Sequence, residues 1–374
     1  MNYNDISEYL KFKQEDFNKL LLALVSMQSY SKEKDNINKL HDFVADTFSQ
    51  FSPDIERIST PVGDLQILSF FAGKPDFAVL LAHIDTVRVS EDFILPIIKE
   101  GRLYGSGAYD MKNAIAMFYF VLDCLEHFKI KSNKTIKLIL TPDEEIGSEN
   151  STKIIIENTL KAKAVIIPEP CGPNGTVKIR RKGIALLNAI ITGKSAHSGI
   201  EPQAGADANK ALISLLNQIN IILQKYPDIY FNPGIISGGV KVNVVSPESF
   251  LDSEMRSFNE KNLKKALKEI EQLEQKGNIN IRIFAELSRR PMQFTKENEL
   301  LYEKAKSIAD KLDYSLGKYE TGGSSDGASL APLGIPVIDG MGLQGNGAHS
   351  LDEYVDLSDF HKRTAIITGL FLES

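Results

Sequence analysis

The stretch LLAHIDT at 80–86 constrains this chain more than any other. An apolar run ends there in polar residues, the form a buried central strand takes where its C-terminal tip leaves the sheet. Side chains alternate across a strand, so His83 and Asp85 are expected on one side. A carboxylate beside an imidazole can accept its second N–H and fix the tautomer, as metal-binding histidines usually require. His83 therefore reads as a metal ligand and Asp85 as the group that orients it.

At 374 residues the chain is long for one core, which favours two domains or one domain with a large insertion. Forty-three basic against forty-nine acidic residues leave a net charge of −6 with no Lys/Arg block, so neither nucleic acid nor an anionic membrane is an expected partner. The N-terminal stretch lacks the basic and apolar regions of a secretory signal, and no apolar run is long enough to span a bilayer. Cys124 and Cys171 form no pairing framework, which fits a reducing cytoplasm. Cys124 falls in a helical apolar pattern and reads as packing; Cys171, among Pro170, Gly172 and Pro173, reads as a loop bystander.

Apolar spacing predicts helices at 14–30 and 36–51, strands at 65–71 and 77–83, and loops up to Asp110. A helix at 112–128 follows, then buried strands at 135–141 and 164–168 with a helix at 151–158 between them. Strands alternating with helices predict an α/β fold, a mostly parallel sheet covered on both faces. Past Val177 the style changes to strands at 184–192, 234–241, 248–256 and 279–287 and helices at 204–226 and 261–276. After Arg290 the first style returns, with a helix at 297–312, a strand at 335–339 and a closing helix at 356–372. The expected division is therefore a catalytic domain in two parts, 1–178 and 290–374, interrupted by an α+β, ferredoxin-like unit at 179–289.

In open α/β sheets the ligand site lies outside the carboxyl ends of the strands. The polar residues at those ends are His83 and Asp85, Asp110, Glu144 and Glu145 in TPDEEIGS, Glu169 in IIPEP, and His349 in GNGAHSLDE. Imidazoles mixed with carboxylates suit Zn²⁺, with Co²⁺ or Mn²⁺ as substitutes. His83, Asp110, Glu145, Glu169 and His349 are too many for one tetrahedral catalytic zinc with an open position, whereas two metals sharing a carboxylate and a water would use them all. The shared water, deprotonated, is then the nucleophile, and Glu144 is the spare carboxylate that moves its proton. Competing readings are plain ones: Asp110 as a helix N-cap, Glu144-Glu145 as a solvated turn, and His41, His127 and His361 in surface or capping roles.

The ordered motifs HIDTV, GSGAYDMK, PDEEIGS, EP, GKSAHSG, GGVKVNVVSP, GGSSDGASLAPLGIPVIDGMG and GAHSLDEYVDL resemble the M20 family of di-zinc metallopeptidases and deacylases. The block at 322–357 and the RKG at 181–183 are most similar to its glutamate carboxypeptidases; acetylornithine deacetylase and succinyl-diaminopimelate desuccinylase look more distant. The resemblance implies two zinc ions per subunit, with Asp110 bridging, and makes the inserted unit a lid and dimerisation domain. It implies that His197 supports the oxyanion in the partner subunit's site, and that Asn243, Arg256, Arg290 and Gly323 bind substrate. Gly322 and Gly323 alternatively form a hinge, and Arg256 a solvated edge charge. The chain departs from the family pattern at Asn113, where Gly is usual, and at Tyr109, where a small residue is commoner. The implied reaction is hydrolysis of an amide, releasing an amino acid, glutamate by the nearest resemblance, from an N-acyl amino acid or short peptide with a free carboxylate. A small-molecule deacylase and a non-catalytic dimeric binding protein are the alternatives, the latter disfavoured because no ligand residue is missing.

Overall fold

The computed structural model describes residues 2–91, 93–273 and 278–373. The chain divides into two compact units: Met1–Arg180, Gln293–Thr321 and Ser325–Ser374 form the first, and Arg181–Met292 with Gly322–Ser324 the second. These stand beside the expected boundaries of 1–178, 179–289 and 290–374.

The first unit opens with α1 (Tyr3–Phe12), α2 (Gln14–Val25) and α3 (Lys34–Phe48), then β1 (Asp54–Ser59), β2 (Asp64–Phe70) and β3 (Phe77–His83). Short strands β4 (Ile97–Lys99) and β5 (Arg102–Tyr104) precede α4 (Asn113–His127), and β6 (Thr135–Thr141), α5 (Thr152–Thr159), β7 (Val165–Ile167) and β8 (Val177–Arg181) follow. The second unit holds β9 (Gly183–Thr192), α6 (Ala208–Leu223), β10 (Tyr230–Gly238), β11 (Glu248–Ser257), α7 (Glu260–Glu271) and β12 (Asn280–Arg289). The chain then returns through α8 (Lys296–Lys311), β13 (Lys318–Thr321), α9 (Gly327–Leu330), β14 (Val337–Asp339), β15 (Gly345–Asn346), β16 (Tyr354–Asp356) and α10 (Phe360–Glu373).

An eight-stranded mixed sheet in the order β1-β2-β6-β3-β7-β14-β8-β13 runs through the first unit. Its centre is parallel, with β6, β3, β7 and β14 running together; β2 flanks β6 antiparallel, and β1 pairs antiparallel with β2 at the edge. The central strands are buried almost throughout, which is why they read as continuous apolar runs. The core joins this sheet to α1, α2, α3, α4, α8 and α10. Arg363, fully buried on α10, ties the layers by donating to the carbonyls of Gly175 at 2.7 Å and Gly340 at 2.8 Å.

The second unit has the order β10-β11-β9-β12, all antiparallel, in a β-α-β-β-α-β succession that is the ferredoxin-like arrangement. One face is packed by Leu212, Leu215 and Ile219 of α6 and by Leu263, Ala266 and Ile270 of α7. Burial alternates along β11 and β12, as a sheet with one covered face requires.

Several expected elements differ. The expected helix at 261–276 ends at Glu271, and its last predicted turn falls partly outside the described residues. The stretch 54–59 is a strand although its residues are mostly exposed and show no apolar alternation, because pairing with β2 rather than burial holds it. α1 was not expected; Ile6 and Leu10 are buried in the main core, and its Tyr3 hydroxyl donates to Glu373 at the far end of the chain. The expected helix at 356–372 is present as α10 but begins at Phe360, with β16 just before it, and the expected loop before Asp110 contains β4 and β5. All four strands β15-β16-β5-β4 form one small sheet.

Phe118 on α4 packs its ring at 6.0 Å from that of Phe48, 5.7 Å from Phe70 and 5.7 Å from Phe371, linking α3, β2 and α10 to the helix that follows Asp110. Phe118→Ala is expected to destabilise the first unit by about 3–5 kcal/mol. The measurement is the denaturant midpoint against wild type; an unchanged midpoint would show that this cluster does not anchor the unit.

Candidate metal centre

His83 is the last residue of β3, and its register partner on β6 is Thr141, so the tips of two parallel strands open at one level. Its Nδ1–H donates to the main-chain carbonyl of Asp85 at 2.9 Å. A carbonyl can only accept, so Nδ1 carries a proton; Nε2 faces carboxylates, where a cation would take the place of its proton. That Nε2 lies 3.1 Å from Asp110 Oδ1 and 3.8 Å from Glu169 Oε1.

Asp110 sits in the loop entering α4, where Gly107 has φ of 80° and a Cβ added to it would lie 2.6 Å from Thr86 Cγ2, so only glycine fits. The other carboxylate oxygen of Asp110 faces a second imidazole, with His349 Nε2 at 3.5 Å. His349 Nε2 is also 2.9 Å from Glu145 Oε2. Donor atoms thus gather in two groups, His83–Asp110–Glu169 and Asp110–Glu145–His349, which share Asp110. The competing reading of Asp110 as a helix cap fails, since the helix begins after Lys112 without any side-chain cap and Asp110 faces two histidines.

Glu145 and its neighbour Glu144 occupy a single tight turn after β6, and their N–H groups donate to the Asp85 carboxylate at 3.2 and 3.1 Å. Ser31 donates to the same carboxylate at 2.7 Å. This corrects the expected role of Asp85: its backbone orients His83, while its carboxylate stands 3.6 Å from the ring and holds the Glu144-Glu145 turn. Three donors compete for that carboxylate, and the main-chain oxygen is nearer the ring. Glu169 follows β7 and is buried; Gly342 N–H donates to its carbonyl at 3.0 Å, and a Cβ on Gly342 would come within 2.8 Å of it.

The electrostatics follow from three carboxylates meeting in a small volume. Burial pulls the His83 imidazolium down, yet the hydrogen bond and charge of Asp110, with Glu169 and Glu145 behind, outweigh it and hold the ring well above its ordinary value. His349 is raised to about 10 by its hydrogen bonds to Asp110 and Glu145. Asp110 feels burial pushing it up, but both histidines bring it well below the usual carboxylate range. Asp85 is pushed up to about 6, chiefly by burial. The cluster therefore calls for compensating positive charge. Its mixed nitrogen and oxygen donors fit a pair of divalent cations, His83 and Glu169 on one side, Glu145 and His349 on the other, and Asp110 common to both. His349 keeps its side chain about half exposed, at 49%, so the cluster is open to solvent as a catalytic site must be.

Glu353 escaped the sequence reading although it stands in the quoted motif GAHSLDEYVDL. It is buried, and its carboxylate accepts from the N–H groups of Gly107 at 3.0 Å, Tyr109 at 2.9 Å and Asp110 at 3.0 Å. Burial pushes its carboxyl up to about 7, against the pull of those donors. It joins the segment carrying His349 to the loop carrying Asp110. The available signal was an acidic residue four positions after a ligand, which pattern alone cannot separate from a solvated one. Asn113 also does more than replace glycine: its amide donates to the carbonyls of Ala108 at 3.0 Å and Tyr109 at 2.9 Å, and its oxygen accepts from Leu343 N–H. The Tyr109 hydroxyl donates to the Cys171 carbonyl at 3.1 Å, and Cys171 itself is buried with its thiol on the Leu343 carbonyl. His41, expected at the surface or as a cap, is buried between Gln66 and the Asp64 carbonyl, and burial lowers it to about 4.

The remaining expected site residues belong to the second unit. The segments of His197 and Asn243 meet there: Ser198 N–H donates to the Asn243 carbonyl at 3.1 Å, and His197 bridges to Val244. Arg256, expected to be open to a carboxylate, is already forked onto Glu254 at 2.8 and 2.9 Å and donates to the Gly322 carbonyl at 2.9 Å. Residues two apart share a strand face, which brings Glu254 to it. Arg290 is half exposed and pairs with Glu260 at 3.2 Å. The Gly323 carbonyl accepts from the buried Arg181 at 3.4 Å, and a Cβ on Gly322 would meet nothing within 4 Å, so close packing does not explain that glycine.

A mostly parallel sheet with carboxylates and imidazoles at its strand tips and an appended ferredoxin-like unit defines a metal-dependent hydrolase of the peptidase and deacylase class. The sequence profile of peptidase family M20/M25/M40 matches residues 79–373, and the chain belongs to that family. Carboxypeptidase G2 of Pseudomonas sp. (strain RS-16) is 28% identical over 303 residues, 79% of this chain and 73% of the relative. Succinyl-diaminopimelate desuccinylase of Hydrogenovibrio crunogenus (strain DSM 25203 / XCL-2) is 26% identical over 352 residues, 88% of this chain and 92% of the relative. A solved tripeptidase from Staphylococcus aureus subsp. aureus Mu50 shares the fold with a TM-score of 0.80 at 21% identity, covering 96% of this chain and 97% of that one.

Replacing Glu353 by Gln turns one of the two oxygens that hold the three N–H groups around Asp110 into an N–H donor. Glu353→Gln is expected to weaken metal retention about 10–100-fold, as loss of a residue that orients a ligand commonly does. Equilibrium dialysis with elemental analysis reads this; wild-type affinity in a folded variant would remove Glu353 from that role.

Proposed function

We propose that this chain hydrolyses an amide bond, releasing an amino acid from an N-acyl amino acid or a short peptide with a free C-terminal carboxylate. The observation that carries the reading is Asp110, whose two oxygens face two different imidazoles and so suit a pair of cations. Zn²⁺ is the proposed metal, with Co²⁺ or Mn²⁺ as substitutes; two such ions would polarise the scissile carbonyl and lower the pKa of a water toward 7.

The chain's own residues supply the proton movement. Asp85 holds the backbone of Glu144 and Glu145 together, yet only Glu145 belongs to a donor group. That arrangement supports Glu144 as the carboxylate that takes a proton from the attacking water and passes it to the leaving nitrogen. In the second unit Gly199 N–H donates to His197 Nδ1 at 3.1 Å, so the neutral ring carries its proton on Nε2. That N–H is the donor proposed for the oxyanion, supplied by a second copy of the chain. A homodimer is supported by β10, an edge strand of that unit whose Ile235 and Ile236 are exposed. Asn243 is proposed to meet the substrate's carboxylate, and Arg256 does so only on release from Glu254.

Glutamate as the leaving residue is supported by the similarity to carboxypeptidase G2, and deacylation of a small N-acyl amino acid by the similarity to the desuccinylase. Turnover of folyl-glutamate, N-acyl amino acids and dipeptides by zinc-loaded protein separates them. No helix among the described residues is long and apolar enough to cross a membrane, and both cysteines are unpaired and buried, which supports a cytoplasmic setting.

Glu144→Ala is expected to keep about two equivalents of metal by elemental analysis while losing at least roughly 100-fold in kcat; near-normal turnover would take the proton role from Glu144. For His197, mixing inactive Glu144→Ala and His197→Ala chains should restore activity through one intact mixed site. No recovery after proven subunit exchange would count against action in trans.

A further inference from the structure

The first unit contains a cavity of about 230 Å³ that the hydrolytic residues do not use. Its wall includes Tyr30, Phe93, Ile94, Leu95, Ile97 and Leu351, and no charged side chain is among the described residues lining it. Leu95 is 71% exposed and Leu351 61%, with Ile94 and Ile97 also largely exposed. Large aliphatic groups gathered at one mouth and left in water mark a place where something apolar binds.

The wall is continuous with the segments that bear the metal ligands. Ser350 and Leu351 follow His349 directly, and adjacent Cα atoms are about 3.8 Å apart. Ser106 lies in the loop whose next N–H, that of Gly107, is held by Glu353, four residues before Asp110. Tyr30 adjoins Ser31, which donates to Asp85 at 2.7 Å. Three of the segments that build the metal centre therefore also build this cavity.

We propose that the cavity is the subsite for an apolar acyl group, so that the substrate's carbonyl side carries a medium aliphatic chain or an aromatic ring rather than acetyl or succinyl. The proposal rests on the amide-hydrolase reading above. The volume is below the roughly 300–1,000 Å³ that encloses a drug-sized ligand and suits one side-chain-sized group. The leaving amino acid brings a carboxylate next to the scissile nitrogen, and no cation is among the described residues of this wall; Arg88, stacked 4.7 Å from the Tyr30 ring, is already paired with Glu33. A hydrocarbon acyl chain extends from the carbonyl without charge.

The test uses the full zinc-loaded chain. With one amino acid held constant, kcat/KM is expected to rise about fourfold per methylene from acetyl to hexanoyl and then level off. Leu95→Glu should lower the hexanoyl-to-acetyl ratio at least tenfold with metal content unchanged. Independently of turnover, calorimetric titration should show hexanoate, the acid product, binding at least tenfold more tightly than acetate, a preference lost in Leu95→Glu. Equal affinities for the two acids, a flat acyl series, or a preference set only by the amino acid's side chain would each overturn the acyl subsite. Tighter hexanoate binding without hydrolysis of any amide would keep the subsite and overturn the hydrolase reading instead.

Discussion

Three carboxylates and two imidazoles drawn into one small volume are the constraint on which the first unit depends. Like charges so close repel unless positive charge is brought in, and the upward pull on both histidines expresses that demand. A protein that keeps such a cluster must also keep it in place against its own repulsion. Asp85 and Glu353 do so, each accepting backbone N–H groups of the loops that carry candidate ligands. Both are buried, so both are costly to retain, and their bonds to the main chain offset that cost.

The sheet explains why these groups meet. Parallel strands β3, β6 and β7 end at one edge, β3 in His83 itself and the other two in loops that carry Glu145 and Glu169. His349 comes from much later, on the turn before β16, and β16 pairs with β5, the strand leading to the Asp110 loop. That small antiparallel sheet, not the large one, brings the final ligand to the centre. The second unit is organised on other terms, with a one-sided core and an exposed edge strand.

The apolar cavity gives the same loops a second use. Residues next to His349, before Asp110 and beside Ser31 line hydrocarbon space, so a change in those loops can alter acyl preference while the metal ligands stay unchanged. Specificity is thereby separated from chemistry by one or a few residues along the chain.

The candidate donors His83, Glu145 and Glu169 were legible because buried strands leave a continuous apolar signature and any polar residue at their tips stands out. Asp110 and His349 lie on loops away from those strands, and the five donor residues gather in two groups that share Asp110. The ferredoxin-like unit was legible through its alternation. Exposed β1 was not, since strand pairing leaves no mark in hydrophobicity. Neither was the exchange by which Asp85 orients His83 through its carbonyl and gives its carboxylate to the next turn. Glu353 and the occupied fork of Arg256 likewise depended on partners far along the chain or on competition between nearby donors. The sequence by itself determined which strands are buried and which polar residues end them, because burial periodicity is local; tertiary structure alone decided which of those residues meet and what each hydrogen bonds to, because those partners are chosen by three-dimensional proximity.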